Sequence, residues 1–369
     1  MGEGETPMKL KVVFIVRSTF DSVRGGDTLQ VLCTARELRK LEVEVDIKKA
    51  SEAIDYDRYD LMHLFNLIRP ADHLLHISKA GLPYLLSTIY LDYSTFDTSG
   101  RDSLSNSLFR FTGKYHAEYL KTIYRILKKQ DKLVSREYLR GHRRAVRKVL
   151  AGARMLLPNS LSEYNRLAAD YGIQKEFRPI PNGIDTQIFQ TIPDVKRIEN
   201  QVLCVGQIYG LKNQHLLIEA TRNMDVKLVI IGKPPPNHHG YFEYCKKIAH
   251  RHVAFHSFMP QEQLVQYYAQ SKVHALPSWF ETTGLSSLEA GAMACNLLVG
   301  TGGDTRAYFQ QHASFCDAQD INCIQSALET ELHKQNTSEF RNFILANYTW
   351  EHAARETLSA YLKVLDHER

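Results

Sequence analysis

Apolar runs alternate with helical patterns along this chain, and that alternation limits its fold more than any other feature. The run KLKVVFIV (9–16) is followed by a glycine loop and then by a helical stripe of apolar residues between Leu29 and Leu41. Further apolar runs follow as EVEVDIKK, DLMHLFN, PYLLSTIYL and ARMLLPNS. Strands that alternate with helices form a parallel sheet covered by helices. The first half therefore predicts a doubly wound α/β domain.

The same rhythm restarts after the turn-rich segment PIPNGIDTQIF (179–189). The later runs are NQVLCVG, VKLVIIG, VAFHSFMP, VHALPSWFE and NLLVGTGGD, each followed by a helical segment. The chain has 369 residues, which is long enough for two domains of this kind. We therefore predict two doubly wound halves joined by a linker near 181–200.

Ligands of such sheets bind outside the carboxyl ends of the strands, and between two facing sheets that position is the interdomain cleft. We therefore expect the chemistry in the loops that follow strands. The candidates are RGGD (24–27), VGQIYGLKN (205–213), IGKPPP (231–236) and PSWFETTGLSSLEAGAMA (277–294).

The first two loops have the composition of phosphate sites. Gly25 and Gly26 precede a helix and allow close backbone approach to a phosphate, although a simple turn needs the same glycines and the G-x-G-x-x-G pattern is absent. Lys212 lies where a loop enters a helix near Asn213. Its ammonium and the free N–H groups there suit a diphosphate, and a solvated lysine is the alternative.

Two glutamates flank the turn in the last of these loops. Glu281 follows a strand and is expected at the strand end, whereas Glu289 lies about one turn into the next helix. A carboxylate there can accept hydrogen bonds from a pair of vicinal hydroxyls. The Ser286-x-x-Glu289 spacing also matches a capping box, which leaves both interpretations of Glu289 open.

The ordered segments PIPNGIDTQIF, VGQIYGLKNQHLLIEA and PSWFETTGLSSLEAGAMACNLLVGTGGD resemble the family 4 retaining glycosyltransferases, also called glycosyl transferases group 1. The resemblance runs from about residue 155 to the end of the chain. In the first half it depends on RGGD and on DLMHLFN around His63. It implies a GT-B fold, in which two Rossmann-like domains face a cleft. The implied divisions are an acceptor-binding domain at 1–190, a nucleotide-sugar-binding domain at 191–350 and a helix at 351–369 that returns to the first domain.

The resemblance also assigns roles to matching residues. Glu281 then lies near the donor sugar and Glu289 binds the ribose hydroxyls of the nucleotide. Lys212 stabilises the departing diphosphate, and Gly26 belongs to the glycine loop beside it. The expected donor-binding residues are completed by Gly206, Gln207, Gly232, Met259, Thr283, Gly284 and Leu285. The nucleotide base is expected to be held by the backbone of SFMP (257–260) and the loop after Ile231.

Two residues depart from the pattern of this family. Arginine is usual where Gln207 stands, so that Lys212 must supply more of the charge stabilisation. Histidine is usual where Tyr90 stands, and a tyrosine donates a hydrogen bond but shuttles protons poorly at neutral pH. Together with Lys212 and Glu281, Tyr90 completes the predicted catalytic residues.

The resemblance implies a reaction without a protein nucleophile, in which an acceptor hydroxyl attacks on the face that the diphosphate leaves and the diphosphate takes the proton. The donor is a UDP- or GDP-sugar that acts as substrate, and no cofactor is expected. No metal is expected either. The DYD sequence at 55–57 imitates a D-x-D metal signature but precedes a strand of the N-terminal half.

Positive charge is concentrated in the predicted insertion at 97–150. Its basic residues include Arg125, Lys128, Lys129, Arg143 and Arg144, and they are interleaved with aromatic residues and leucines. An amphipathic basic helix is typical of proteins that lie on anionic membranes. The segment predicts peripheral attachment and a lipid-linked or glycan acceptor, with a solvated surface helix as the alternative.

Bulk composition excludes several other classes. The formal charge of +5 is too small to indicate nucleic acid, and no nucleic-acid-binding module accompanies it. The six cysteines contain no C-x-x-C pair, which favours reduced thiols and a cytoplasmic enzyme, attached if at all to the inner membrane face. No apolar run has the length of a membrane span.

Two alternative functions remain open from the sequence. One is another GT-B enzyme, such as a nucleotide-sugar epimerase or a phosphorylase, although a phosphorylase needs a pyridoxal lysine and a longer chain. The other is a non-catalytic sugar-nucleotide-binding protein, which Gln207 and Tyr90 favour and which Lys212, Glu281 and Glu289 oppose.

Overall fold

The computed structural model describes residues 9–21, 25–92 and 135–366. They divide into two units. The N-terminal unit is formed by the described residues up to Tyr90, by 135–181 and by the segment from Trp350. The C-terminal unit is formed by residues 182–349 together with Leu91 and Asp92. Each unit contains one parallel sheet with helices packed against it. Among the described residues, no helix has both the length and the apolar character needed to cross a membrane.

The sheet of the N-terminal unit has the strand order β2-β1-β3-β4-β5. Its strands are β1 (Lys11–Val16), β2 (Glu44–Lys49), β3 (Leu61–Phe65), β4 (Tyr84–Ser87) and β5 (Met155–Leu157). The helices of this unit are α1 (Gly26–Lys40), α2 (Pro70–Ala80), α3 (His142–Gly152), α4 (Leu161–Tyr171) and, after the C-terminal unit, α12 (Trp350–Asp366). Short 3₁₀ helices lie at Tyr56–Arg58 and Arg136–Arg140.

The sheet of the C-terminal unit has the order β11-β10-β9-β6-β7-β8. Its strands are β6 (Ile198–Val205), β7 (Lys227–Ile231), β8 (Val253–His256), β9 (Ser271–Leu276), β10 (Asn296–Gly300) and β11 (Ala313–Cys316). The helices are α5 (Gln214–Ala220), α6 (His239–Ile248), α7 (Gln261–Gln270), α8 (Leu285–Ala292), α9 (Thr305–Phe309), α10 (Ile321–His333) and α11 (Ser338–Asn347). Gly210–Lys212 and Gln310–His312 are 3₁₀ helices.

Successive residues of a central strand supply opposite faces of the C-terminal sheet. In β6, Leu203 and Val205 belong to one buried cluster, whereas Val202 and Cys204 belong to another. Both faces are covered by helices, so apolar residues run along the strand without polar alternation, as expected of a parallel sheet that is buried on both sides.

The division between the units falls at Pro181 and Asn182, ahead of the predicted boundary at 190. The reason is that the turn-rich segment packs into the C-terminal unit. Ile184 and Phe189 belong to its core, and the Ile184 N–H donates to the Tyr348 carbonyl at 2.9 Å. Because its apolar side chains are buried in one domain, this segment is part of that domain rather than a free linker.

The last helix, α12, belongs to the N-terminal unit, where it packs against α1. Its Tyr361 hydroxyl lies 2.6 Å from His63 Nδ1 on β3, and His63 Nε2 lies 2.8 Å from Ser87 Oγ on β4. Burial lowers the pKa of His63 to about 3, so the ring is neutral at physiological pH. His63 therefore joins the closing helix to the sheet through both ring nitrogens.

Candidate functional site

Both candidate glutamates lie on the strand–turn–helix segment that links β9 to α8. Glu281 follows the end of β9, and the chain then turns at Gly284, whose φ of +77° lies in the left-handed region that favours glycine. Helix α8 begins at Leu285, and Glu289 is 7% exposed on its second turn. The sequence therefore places one carboxylate at the strand end and the other within the helix, as predicted.

Glu281 is positioned by a glycine loop that follows β10. A Cβ atom on Gly302 would lie 1.9 Å from the Trp279 carbonyl oxygen, and one on Gly303 would lie 2.0 Å from the carbonyl oxygen of Glu281. The Glu281 N–H donates to the Gly302 carbonyl at 3.2 Å, and the Asp304 N–H donates to the Glu281 carbonyl at 2.7 Å. Only residues without a side chain allow this approach, so GTGGD fixes the backbone that carries Glu281.

Lys212 and Glu281 form an ion pair in which the Lys212 ammonium donates to Glu281 Oε1. The two side chains are only 18% and 11% exposed. Burial is the largest single influence and acts to lower the pKa of Lys212. The charge and hydrogen bond of Glu281, together with the nearby Tyr209 and Cys204, outweigh burial, and the pKa of Lys212 is raised above its ordinary value. Lys212 is therefore a permanent cation held at the carboxyl end of the sheet.

The loop that carries Lys212 is fixed by its neighbour Asn213. Asn213 is fully buried, and its Nδ2 donates to the carbonyls of Pro277 at 3.1 Å and Ala318 at 2.7 Å. These bonds tie the loop after β6 to the ends of β9 and β11. The position of Lys212 thus depends on a buried amide that spans the strand-end edge.

Gly206 and Gly232 follow β6 and β7 and lie in close backbone contact. A Cβ atom on Gly232 would lie 1.9 Å from the Gly206 carbonyl oxygen. The neighbouring Gln207 is held through its carbonyl, which accepts a hydrogen bond from Gln214 Nε2 at 2.9 Å. Of these two predicted donor-binding glycines, Gly232 is therefore required by the packing of adjacent strand ends, whereas a Cβ atom on Gly206 would meet only Leu276 Cδ1, at 4.0 Å.

Glu289 accepts a hydrogen bond at each carboxylate oxygen. Gln261 Nε2 donates to Oε1 at 2.6 Å, and the Tyr268 hydroxyl donates to Oε2 at 2.8 Å, both from α7. Burial raises the pKa of Glu289 to about 7, although the two hydrogen bonds oppose that rise. The capping-box alternative is wrong, because α8 begins at Leu285 with Gly284 as its N-cap and Ser286 already lies inside the helix.

Thr283 is buried within a small hydrogen-bond network. Its Oγ1 accepts from Asn182 Nδ2 at 3.0 Å and donates to the Tyr308 hydroxyl at 3.3 Å, while the Asn182 N–H donates to the same hydroxyl at 3.1 Å. The predicted donor-binding residue Thr283 therefore also ties the turn after Glu281 to the PNG segment. Leu285, the first residue of α8, packs against the adjoining apolar core.

The loops after β7 and β8 carry the residues predicted to hold a base. Met259 packs against the core of the C-terminal unit, whereas Phe258 is 64% exposed. Lys233 Nζ lies 5.5 Å from the centre of the Phe258 ring, within cation–π range. An exposed aromatic ring beside a lysine is suited to contact with a flat, electron-rich ligand.

In the N-terminal unit, Gly26 is the first residue of α1, and the adjacent Asp27 pairs with Arg17. Arg17 Nε lies 2.7 Å from Asp27 Oδ2, and Arg17 is 5% exposed. Asp27, the last residue of the RGGD motif, is therefore held to Arg17, a buried arginine just after β1 that was not predicted from the sequence.

Tyr90, which was predicted as a catalytic residue, lies in the protein core. It is 4% exposed in the core of the N-terminal unit, and its hydroxyl donates to Asp170 at 2.5 Å. The Tyr90 N–H donates to Glu163 Oε1 at 2.9 Å. The structure thus gives Tyr90 a packing role, because the hydrogen bonds with Glu163 and Asp170 hold it against α4.

The basic residues of α3 point away from the core. Arg143 and Arg144 are exposed, whereas Ala145, Val146 and Val149 are buried. The apolar side of this amphipathic helix is therefore used by the protein core, and only its basic side faces solvent. Arg125, Lys128 and Lys129 lie outside the described residues, as does most of the insertion at 97–150.

Three residues of the C-terminal unit contact the predicted site but were not predicted from the sequence: Asn182, Gln261 and Tyr268. Each meets its partner across a large sequence separation, such as the 101 residues between Asn182 and Thr283. The PNG turn and the helix pattern of α7 predict local structure only. No local sequence signal marks these contacts.

Comparison with known proteins assigns the C-terminal unit to a described class. Residues 185–344, which include Lys212, Glu281 and Glu289, match the family described as Glycosyl transferases group 1. A GDP-mannose-dependent alpha-(1-6)-phosphatidylinositol monomannoside mannosyltransferase of Mycolicibacterium smegmatis is 25% identical over 219 residues. That match covers 50% of this chain and 56% of the relative, so the chain is aligned with only about half of that protein's length.

Solved structures resemble the chain over nearly its whole length. A sucrose-phosphate synthase from Thermosynechococcus elongatus superposes with a TM-score of 0.77 at 14% identity, covering 97% of this chain and all of that one. Anabaena HepE, crystallised with UDP-glucose, gives a TM-score of 0.66 at 15% identity and covers 95% of this chain and 100% of its own. These likenesses show the fold, and the predicted α/β fold of the GT-B type is confirmed.

Proposed function

Because this chain belongs to the glycosyl transferases group 1 family, we propose that it is a retaining enzyme that transfers a sugar from a nucleoside-diphosphate sugar to a glycan or lipid-linked acceptor. The observation that carries the proposal is the placement of Lys212, Glu281 and Glu289 at the carboxyl edge of one parallel sheet, where such folds bind ligands. Synthesis of a polysaccharide or lipopolysaccharide is the setting that such a reaction suits.

In the proposed reaction, the acceptor oxygen forms a bond to C1 of the sugar as the bond between C1 and the diphosphate oxygen breaks. Both electrons of that bond leave with the diphosphate, and the acceptor proton passes to its terminal phosphate oxygen. Lys212 neutralises the growing negative charge, and a fixed donor in such a site contributes about 3 to 4 kcal/mol. The chain's own task is positioning and charge stabilisation.

Each carboxylate has a separate task in this proposal. Glu289 accepts hydrogen bonds from the ribose hydroxyls and holds the nucleotide. Glu281 is held at the strand end beside Lys212 and orients the donor sugar near the leaving group. The donor, a UDP- or GDP-sugar, is a substrate, and the proposal requires no further cofactor. Similar proteins differ in their donors, since one is named as GDP-mannose-dependent and another was crystallised with UDP-glucose.

A thermal-shift panel tests this proposal. We expect one UDP- or GDP-sugar to raise the Tm of the purified protein, and NAD to leave it unchanged because RGGD lacks the dinucleotide pattern. Stabilisation by NAD and by no nucleotide sugar would contradict the proposal. Stabilisation without any turnover would favour the non-catalytic alternative, and interconversion of the bound sugar would favour an epimerase.

Stereochemistry tests the retaining character. Once a donor and an acceptor are identified, the anomeric proton coupling of the product measured by NMR should match that of the donor. A product of opposite configuration would require a displacement with inversion and would contradict attack on the face that the diphosphate leaves.

We predict that donor affinity rises with pH through about 7. The pKa of Glu289 is raised from 4.5 to about 7 by burial, and ribose hydroxyls bind its ionised form. Wild-type affinity for a nucleotide sugar should fall by roughly tenfold per pH unit well below 7 and become constant above 8. Calorimetry at several pH values would measure this trend. Glu289→Gln should give a flat profile, and a flat wild-type profile would contradict the role of Glu289.

The raised pKa of Glu289 also makes the free energy of unfolding depend on pH. The folded protein binds the Glu289 proton more tightly than the unfolded chain does between about pH 4.5 and 7. The contribution of Glu289 to the free energy of unfolding is therefore fully present below 4.5 and declines as the pH rises through 7.

Restoring positive charge at position 207 should strengthen donor binding. Gln207→Arg adds a charged donor at a strand end near Lys212, and a charge-assisted hydrogen bond to the diphosphate is worth about 1.5 to 3 kcal/mol, roughly a tenfold gain or more. Gln207→Met is the matched control and should bring no gain. An arginine variant with unchanged affinity would show that this position does not face the diphosphate.

We also propose that the basic side of α3 contacts an anionic membrane. The attachment is electrostatic, because the apolar side of the helix is buried in the protein, and each basic residue near such a surface contributes about 1 kcal/mol. The wild-type protein should sediment with vesicles that contain phosphatidylserine at low salt and should remain in the supernatant at high salt. Arg143→Ala with Arg144→Ala should weaken sedimentation, and equal binding to neutral vesicles would contradict the proposal.

A further inference from the structure

Glu289 is contacted from two sides by donors that differ in exposure. Tyr268, which donates to Oε2, is fully buried, so that side of the carboxylate faces the protein interior. Gln261, which donates to Oε1, is half-buried at the first position of α7, directly after the predicted base-binding loop 257–260. A ligand that reaches this carboxylate from solvent therefore meets the oxygen that the Gln261 amide already contacts.

We infer that the Gln261 amide occupies the position of a ribose hydroxyl on Glu289 and is displaced when a nucleoside diphosphate binds. This inference rests on the proposed function and adds a residue that controls affinity at its nucleotide site. An amide N–H and a ribose O–H are both single donors to a carboxylate oxygen, and the Gln261 contact of 2.6 Å leaves no room for a second group along the same line.

This exchange makes Gln261 an internal competitor of the ribose. Binding must first break a charge-assisted hydrogen bond. The measured association constant is therefore that of the open site multiplied by the fraction of free molecules in which the Gln261 contact is absent. A ligand without ribose hydroxyls gains nothing from breaking the contact. Gln261 therefore affects ribose-containing ligands selectively.

Removal of the competitor has a second effect that the experiment must separate. The hydrogen bond from Gln261 helps to keep the pKa of Glu289 from rising further. In Gln261→Ala the carboxylate is therefore more easily protonated, which weakens nucleotide binding near neutral pH. Measurements at pH 8.5 keep Glu289 ionised in both proteins and isolate the competition.

Calorimetry with UDP and GDP, and with their 2′,3′-dideoxy analogues, tests the inference at pH 8.5. Relative to the wild type, Gln261→Ala should bind the better ribonucleoside diphosphate about three- to tenfold more tightly, while the affinity for its dideoxy analogue stays unchanged. The matched control is Gln263→Ala, an exposed glutamine of the same helix, which should change neither affinity. The NMR resonance of the Gln261 side-chain amide can be identified because it is absent from the spectrum of Gln261→Ala. In the wild-type protein, this resonance should shift toward the value of a solvent-exposed amide when the diphosphate is added.

Equal or weaker ribonucleotide binding by Gln261→Ala, with intact binding by the wild type, would overturn this inference and leave the proposed function standing. An equal gain for the dideoxy analogue would also overturn it, because the effect would then not involve the ribose. Absence of any nucleoside diphosphate binding by the wild type would overturn the proposed function and this inference with it.

Discussion

Replacing Lys212 by methionine is expected to slow the release of nucleoside diphosphate from the donor by about 100- to 1,000-fold, equivalent to roughly 2.7 to 4 kcal/mol. Methionine has nearly the same side-chain length as lysine, but it lacks the positive charge that pairs with Glu281 at the strand end. With Gln207 neutral, Lys212 is the cationic side chain that we assign to the departing diphosphate. The effect should therefore appear mainly in kcat, which donor-turnover assays measure at saturating donor.

Lys227→Met is the control for this prediction. Lys227 is exposed at the amino end of β7, at the opposite edge of the same sheet, and its replacement should leave turnover unchanged. The Tm of both variants would show that they remain folded. A Lys212→Met protein that is folded and turns over donor at the wild-type rate would contradict the assigned role.

Replacing Glu289 by alanine is expected to weaken nucleoside diphosphate binding by roughly 10- to 100-fold. The loss of a charged hydrogen-bond acceptor costs about 1.5 to 3 kcal/mol. The reduction should be confined to ligands with ribose hydroxyls, so 2′,3′-dideoxy analogues should bind both proteins with equal affinity. Calorimetry at pH 8.5 measures this difference with Glu289 ionised in the wild type.

Glu262→Ala provides the matched control, because Glu262 is an exposed acid on α7, next to Gln261. Its affinity should equal that of the wild type. If Glu289→Ala and the wild type bound the ribonucleotide equally well, the carboxylate would have only a structural role, as the acceptor of the hydrogen bonds from Gln261 and Tyr268.

The alternation of apolar runs was sufficient to predict the two parallel sheets, because strands buried on both faces stand out as continuous hydrophobic segments. Strand β11 was not predicted, because it is not buried on both faces and does not form a continuous hydrophobic segment. It lies at a sheet edge, pairs only with β10 among the described strands, and three of its four residues are half-buried. Its composition, ASFC, gives no strong hydrophobic signal.

The fourth strand ends earlier than its apolar run suggests. PYLLSTIYL reads as a strand through Leu91, but β4 stops at Ser87. The Thr88 hydroxyl and the Tyr90 N–H both donate to the Glu163 carboxylate, and Ile89 has a φ of +43°. A buried acid on α4, which lies far along the chain, therefore ends the strand and sets the position of Tyr90.

For the site itself, spacing and resemblance predicted the residue types, and the structure adds their partners. The sequence placed Lys212 and Glu281 at strand ends, but their direct ion pair depends on packing between β6 and β9. The contacts of Glu289 with α7 likewise arise because α7 and α8 share one face of the sheet. Such pairings cannot be read from a single sequence, because local patterns do not specify which distant side chains meet.

The most direct measurement of the central claim is ³¹P NMR of the wild-type protein incubated with the nucleotide sugar that stabilises it. We predict slow formation of the nucleoside diphosphate, since glycosyl transfer, to an acceptor or to water, breaks the bond between C1 and the diphosphate oxygen. Formation of a nucleoside monophosphate and a sugar phosphate would show cleavage between the phosphates. That result would contradict a glycosyltransferase.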